Sequence, residues 1–337
     1  MKNIAISVVV PVYGVERYIE RCVRSLFSQT MTEGVEFIFV NDCTKDRSIE
    51  LLTALISEYP QLSSQVKLIH HPQNRGLAVA RQTGFNVARG EYILHLDSDD
   101  YFEHDMLEVM YEAALANNAD VVVSDFFWSY EKVDIYQECL LYDSKENLLK
   151  SIIAPWRYGN KTIGPYVWNK LTKRSIYKKH NITSIEGINY GEDFIVTIQI
   201  LYNAAVITKL NRAFMHYNQQ NLGSYSHDKT ASNIHQRLMA TDTIADFLSS
   251  KTSVYKEELD ERIFREKLLA IANCGTNNLH EYLSMYPWLD YKKHKHLVPH
   301  HWRLPYKFAL QGKIGRFIFL RNLILPIRKI YRFIYDQ

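Results

Sequence analysis

Glu91-Tyr-Ile-Leu-His-Leu-Asp-Ser-Asp-Asp100 is a strand-like run that empties into three carboxylates within four residues. On an extended segment alternate side chains share a face, so Asp97 and Asp99 are expected to point one way and Ser98 the other. Two converging carboxylates suit Mg²⁺ or Mn²⁺, hard cations that prefer carboxylate and phosphate oxygens. Mg²⁺ usually takes one or two protein carboxylates and leaves its other positions to substrate phosphates. The run therefore implies a phosphorylated ligand. A plainer role for one Asp is to cap the helix expected to begin near Glu103. Capping accounts for one acid, not three, and the surrounding elements weigh toward the cation.

Around this run, apolar strands alternate with amphipathic helices. Residues 4–12 are a β-branched stretch suited to burial on both faces, and 16–29 follow with Ile19, Val23, Leu26 and Phe27 at helical spacing. The pattern recurs as strand 35–40 and helix 48–59, strand 66–70 and helix 77–88, and strand 92–96 and helix 106–117, before a strand at 120–124. This alternation predicts an α/β fold with a doubly wound, mainly parallel, Rossmann-like sheet. Ligands of such sheets sit outside the carboxyl ends of the strands. Pro11-Val12-Tyr13, Asn41-Asp42 and Asp97-Ser98-Asp99 all fall at such ends, so one crevice can gather them.

At 337 residues the chain fits one large domain or two smaller ones, and 47% hydrophobic against 23% charged residues is an ordinary soluble composition. A formal charge of +3 is too small to imply a nucleic-acid partner. Cys22, Cys43, Cys139 and Cys274 are widely spaced and form no CxxC pair, which argues against a zinc site or a disulfide framework. The first residues lack the basic, long apolar and small-residue regions of a signal peptide, and the expectation is a cytoplasmic protein. Oligomeric state is not legible here.

Six short motifs in order, Pro11-Val12-Tyr13, Val40-Asn41-Asp42, Asn74-Arg75-Gly76-Leu77, Ala80-Arg81, Asp97-Ser98-Asp99-Asp100 and Gly191-Glu192-Asp193, resemble glycosyltransferase family 2 with its GT-A fold. The resemblance spans residues 4–226. It implies a nucleotide-sugar donor, usually a UDP-sugar, a divalent metal, and transfer with inversion at the anomeric carbon. By the same resemblance Pro11, Val12 and Tyr13 seat the uridine, Asp99 ligates the metal with Asp97 assisting, and Ser98 belongs to the donor site. Asp42 can accept from the uracil N3 proton, which cytosine lacks, or serve its loop. Asn74 and Gly76 precede a helix whose first N–H groups favour an anion. Arg81 resembles the family arginine near the phosphates, although it can also tie a carboxylate.

Inverting transfer is one in-line displacement, so it needs a single general base on the acceptor side and no protein nucleophile. Asp193 resembles that base, with Glu192 orienting hydroxyls; both acids can otherwise complement the dipole of the helix they open. Trp168, Asn169 and Lys170 resemble a segment bordering the donor sugar, with the acceptor beyond, while the Trp ring can equally be core. His216-Tyr217 and Ser224-Tyr225-Ser226 fall where the family closes its pocket, and His216 or His227 is a further candidate for metal or diphosphate. Some positions depart from the family: Cys43-Thr44-Lys45-Asp46 stands where Gly-Ser-Thr-Asp is common, Gly14 and Gln82 where Asn is frequent, and Asn218 where Arg is frequent.

The expected organisation is a GT-A domain over 1–226, with a nucleotide half at 1–125 and an acceptor half at 126–226, then a helical extension at 227–302 and a basic amphipathic tail at 303–337. Helices are expected at 233–249 and 256–272. From 303 to 335 there are basic residues and no acid, interleaved with Phe, Ile, Leu and Tyr. Arg321, Asn322 and Pro326 interrupt the apolar run, so it falls short of the ~20 residues of a spanning helix. It reads as a peripheral contact with the inner face of the cell membrane or as a helix docked on the body. The function implied is transfer from a UDP-sugar to a glycan acceptor, a lipid-linked or cell-surface polysaccharide intermediate. The alternatives are another nucleotide sugar, a teichoic-acid or protein acceptor, or a nucleotide-sugar-binding assembly protein without catalysis.

Overall fold

The computed structural model describes residues 4–159, 161–221, 223–224 and 230–335. They fall into two compact units, Met1–Asp228 and Lys229–Gln337.

In the first unit β1 (Ile6–Val12) is buried at every position, which only a near-continuous apolar run allows. It leads to α1 (Ile19–Phe27), which buries Ile19, Cys22, Val23, Leu26 and Phe27 at helical spacing. Next come β2 (Val35–Asn41), α2 (Ser48–Glu58), β3 (Val66–His70), α3 (Leu77–Val87) and β4 (Tyr92–His95). The order β3-β2-β1-β4 is parallel throughout. Asp42 follows β2 directly and Asp97 lies just past β4, after Leu96, so sheet pairing brings these acids to one edge of the sheet.

The remainder is β5 (Tyr101–Phe102), α4 (Met106–Ala116), β6 (Val121–Ser129), β7 (Asp134–Gln137), α5 (Lys145–Ile153), β8 (Lys170–Lys173), α6 (Arg174–Lys179), α7 (Glu192–Asn203) and β9 (Ile207–Asn218). Here antiparallel pairs join the mainly parallel sheet. The strand at 121 does not pair with β4: β8 lies between them, antiparallel to both, with Thr172 opposite Ile93 on one side and Val121 on the other. The sheet continues β8-β6-β9-β5, with β7 attached to β6. Four residues with two lysines carry no strand signature, so β8 is a product of its neighbours rather than of its own pattern.

The second unit is helical: α8 (Ala231–Ser249), α9 (Lys256–Asn273), α10 (Thr276–Ser284), α11 (Tyr291–His294), α12 (His300–Leu310) and α13 (Ile314–Tyr335). Its core joins Leu238, Ile263, Phe264 and Ile271 to Trp302, Tyr306 and Phe317. The stretch from 303 is therefore no separate tail over its described side chains, which extend to Ile324. Arg321, which interrupts the apolar run, is 9% exposed and donates from Nη1 to the Cys274 carbonyl at 2.7 Å. The helix runs on through Pro326. Among the described residues no helix is long and apolar enough to cross a membrane.

Candidate active site

The run at 91–100 ends in a turn closed by Asp100 N donating to Asp97 O at 3.0 Å. Ser98 and Asp100 point inward at 4% and 0% exposure, whereas Asp97 and Asp99 are half-buried. Asp100 is structural: it accepts from Asn218 N at 2.7 Å and so ties the turn to β9. Asp99 accepts from Asn221 Nδ2 at 2.8 Å, and burial together with the neighbouring Asp97 pushes its carboxyl up to about 6. Arg21 opposes that shift from α1, its guanidinium 4.1 Å above the Tyr101 ring. Nothing in the sequence distinguishes Arg21 from any other helix arginine. Among the described residues no group of three or more His, Cys, Asp or Glu side chains is arranged to hold a metal ion. Two half-buried carboxylates still match the one or two that Mg²⁺ commonly takes from protein, and their mutual repulsion favours a cation there.

Gly191, with φ of 106°, turns the chain into α7 so that Glu192 and Asp193 occupy its first turn. Both meet Arg81 of α3, itself 4% exposed. Its Nη1 donates to Glu192 Oε1 at 2.7 Å and to Asp193 Oδ1, while Nη2 donates to Asp97 Oδ1 at 2.5 Å. One buried guanidinium thus joins the acid turn after β4 to the acids of α7. Burial and the adjacent Asp193 push the Glu192 carboxyl up to about 8, with the Arg81 guanidinium opposing the shift. Burial raises Asp193 as well, with Arg81 pulling it back. Asp193 is the more reachable of the pair, its side chain 18% exposed against 8% for Glu192.

The expected nucleotide residues divide. Tyr13 is half exposed beyond the buried Pro11 and Val12, leaving its ring available to a base. Asp42 is 3% exposed and already engaged: it accepts from Arg75 N at 2.8 Å and Gly76 N at 2.7 Å, and lies 2.7 Å from His71 Nδ1. Asn74 Nδ2 donates to the Asp42 carbonyl at 3.2 Å. Asp42 therefore shapes the loop at 74–76, and the uracil contact expected of it competes with bonds already made. The anion site expected at the start of α3 is likewise filled. Ala78 N donates to Asn189 Oδ1 at 3.1 Å, and the Asn189 side chain lies where a Cβ on Gly76 would come to 2.4 Å. Cys43, where the family commonly has Gly, sits at φ of 57°, a left-handed conformation that favours Gly.

The segment expected against the sugar is interior. Trp168 is 2% exposed and enclosed by Tyr166, Phe126 and Tyr217, with ring centroids at 4.5, 4.9 and 5.3 Å. Asn169 Nδ2 donates to Ser124 O at 3.1 Å. The Lys170 ammonium donates to the carbonyls of Ile163, Gly164 and Tyr166 at 2.9, 3.1 and 2.6 Å, and burial pulls it down to about 7. All three side chains are taken up by internal contacts. His216 is also committed elsewhere, 2.7 Å from Glu103 Oε1 and stacked on Tyr101 at 4.2 Å. Tyr225, Ser226 and His227 lie outside the described residues.

Residues 7–180 match the family described as Glycosyl transferase family 2. EpsH of Bacillus subtilis (strain 168), a glycosyltransferase by provisional name, is 28% identical over 291 residues, covering 84% of this chain and 82% of EpsH. The poly(ribitol-phosphate) beta-glucosyltransferase of Bacillus spizizenii (strain ATCC 23059 / NRRL B-14472 / W23) is 29% identical over 218 residues, 60% of this chain and 30% of that protein. Among solved structures, S. aureus TarS 1–349 in complex with UDP-GlcNAc superposes with a TM-score of 0.63 at 18% identity, over 94% of this chain and 90% of that one. At that identity the likeness speaks for the fold, a GT-A arrangement.

Proposed function

The chain belongs to glycosyl transferase family 2 and is a glycosyltransferase, and from that premise we propose that it moves the sugar of a UDP-sugar onto a glycan acceptor with inversion at the anomeric carbon. The observation that carries this reading is the bridge from Asp97 through Arg81 to Glu192 and Asp193. It sets a donor-side acid beside a carboxylate that can act as base.

In the proposed reaction Asp193 takes the proton of the acceptor hydroxyl as that oxygen attacks the anomeric carbon. The bond from that carbon to the diphosphate oxygen breaks, and UDP leaves with the electron pair. Glu192 hydrogen-bonds a sugar hydroxyl and so orients it. Arg81 holds both acids in place and limits their repulsion. Asp97 and Asp99 would hold Mg²⁺ or Mn²⁺, which when bound acts as a Lewis acid against the charge growing on the leaving diphosphate. Tyr13, with Pro11 and Val12, offers a ring face to the base, while Asp42, Asn74, Gly76 and Ser98 shape the wall of the nucleotide crevice.

The acceptor class we propose is a cell-surface polymer or its lipid-linked intermediate. The ribitol-phosphate glucosyltransferase relative favours, as a second reading, a polyol-phosphate polymer of teichoic-acid type. A panel of nucleotide sugars, assayed for released nucleoside diphosphate with Mg²⁺, with Mn²⁺ and with EDTA, tests the donor and the metal together. Release from a UDP-sugar that stops with EDTA and in Asp99→Asn is the expected result. Undiminished release with EDTA removes the metal from the reading, and release from a purine nucleotide sugar alone replaces the donor.

A further inference from the structure

The helical unit ends in two helices whose inner faces belong to its core and whose outer faces carry another chemistry. On α12, Trp302, Tyr306 and Ala309 are buried, while Arg303, Leu304, Lys307 and Leu310 are exposed. On α13, Phe317 and Arg321 are buried, while Arg316, Phe319 and Leu323 are exposed, Phe319 to 64%. Steps of three and four residues put each exposed set on one stripe of its helix. Lys313 and Arg316 both lie over the Phe308 ring, at 6.0 and 5.6 Å from its centroid, so the basic start of α13 is held against α12. No acid occurs anywhere from 303 to 335 to offset these cations.

We infer that the exposed stripes of α12 and α13 rest on an anionic phospholipid surface. Phe319, Leu323, Leu304 and Leu310 would enter the boundary between headgroups and acyl chains. Arg303, Lys307, Lys313 and Arg316 would keep their charged ends among the lipid phosphates. Both halves of this chemistry are needed to choose the partner. A nucleic acid would use the cations and leave a 64% exposed Phe without a role, and a purely apolar partner would leave four cations uncompensated. The docked core explains why the stripe is presented at all: Trp302, Tyr306 and Phe317 hold the helices in place and leave the opposite faces outward. This inference does not depend on the donor or acceptor proposed above.

The test is sedimentation of the full chain with vesicles of phosphatidylcholine alone and of phosphatidylcholine mixed with phosphatidylglycerol, at low and high salt. Binding to the mixed vesicles only, weakening with salt, is the expected result. Lys307→Gln with Arg316→Gln should weaken it about 25-fold, roughly fivefold for each basic side chain removed. Phe319→Ser with Leu323→Ser should weaken it too while leaving the melting temperature unchanged, because both side chains are exposed. Equal binding to both vesicle types, no binding to either, or both variants binding like the parent chain would overturn the inference. So would a dimer in the absence of lipid that Phe319→Ser with Leu323→Ser converts to monomer, which assigns the face to a second copy.

Discussion

The turn after β4 and the turn before α7 both crowd carboxylates into a buried setting, yet they manage the charge differently. At 97–100 Asp100 is absorbed by β9 and Asp97 is held by Arg81, but the outward Asp99 has the amide of Asn221 as its hydrogen-bond partner instead of a cation. At 192–193 both acids have a full positive charge against them, the guanidinium of Arg81. A carboxylate with its counter-charge built in can be positioned and can wait for a proton. One without it favours a cation arriving from outside, which is how a site couples substrate phosphate to protein acid.

The sharpest way to break this contrast is at the base. Asp193→Asn keeps the shape and removes the proton acceptor, so turnover should fall by about 10² to 10⁴ while the dissociation constant for UDP stays close to that of the parent chain. Steady-state kinetics beside calorimetric titration separates the two, and retained turnover would move the base to another group. Arg81→Met removes the cation shared by the two turns. Breaking a buried ion pair from one side costs about 3 to 5 kcal/mol, read as a shift in the denaturant midpoint at unchanged slope. A variant as stable as the parent chain would mean that the three acids shed their charge or find another partner.

The smallest effect is a slope. Glu192 is raised from the ordinary glutamate range to about 8 in the fold, so the folded state holds that proton more tightly than the unfolded chain. Its contribution to stability is complete at low pH and is lost as pH climbs from roughly 5 through 8. Glu192→Gln cannot ionise and should flatten the decline of melting temperature across that window. Identical slopes in the two proteins would show that Glu192 ionises freely in the fold.

Much of this was legible along the chain. The buried run at β1, the period of α1 and the acids ending β4 are local patterns, and each element appears close to where its period placed it. The alternation of outward Asp97 and Asp99 with inward Ser98 follows the extended-chain rule, even though a turn closes at Asp100. Other positions carry contacts that no local pattern shows. Asp42 and Gly76 sit where a ligand was expected, yet Asp42 already accepts from Arg75 N and Gly76 N, and Asn189, far along the chain, accepts from Ala78 N beside them. Trp168 and Lys170 have residue types that suit a sugar, but three aromatic rings and three carbonyls claim them first.

By itself the sequence determined the strands β1 to β4 and the helices α1 to α4, which acids stand at strand and helix ends, and which family's motif order they follow. Those are properties of period and residue type within a few turns of chain. The tertiary structure alone decided that β8 divides β4 from β6, that Arg81 joins acids from two distant turns, and that α12 and α13 are docked with one stripe outward. Each of these depends on contacts between residues far apart in sequence, where burial and counter-charge are supplied by the partner and leave no trace in the local pattern.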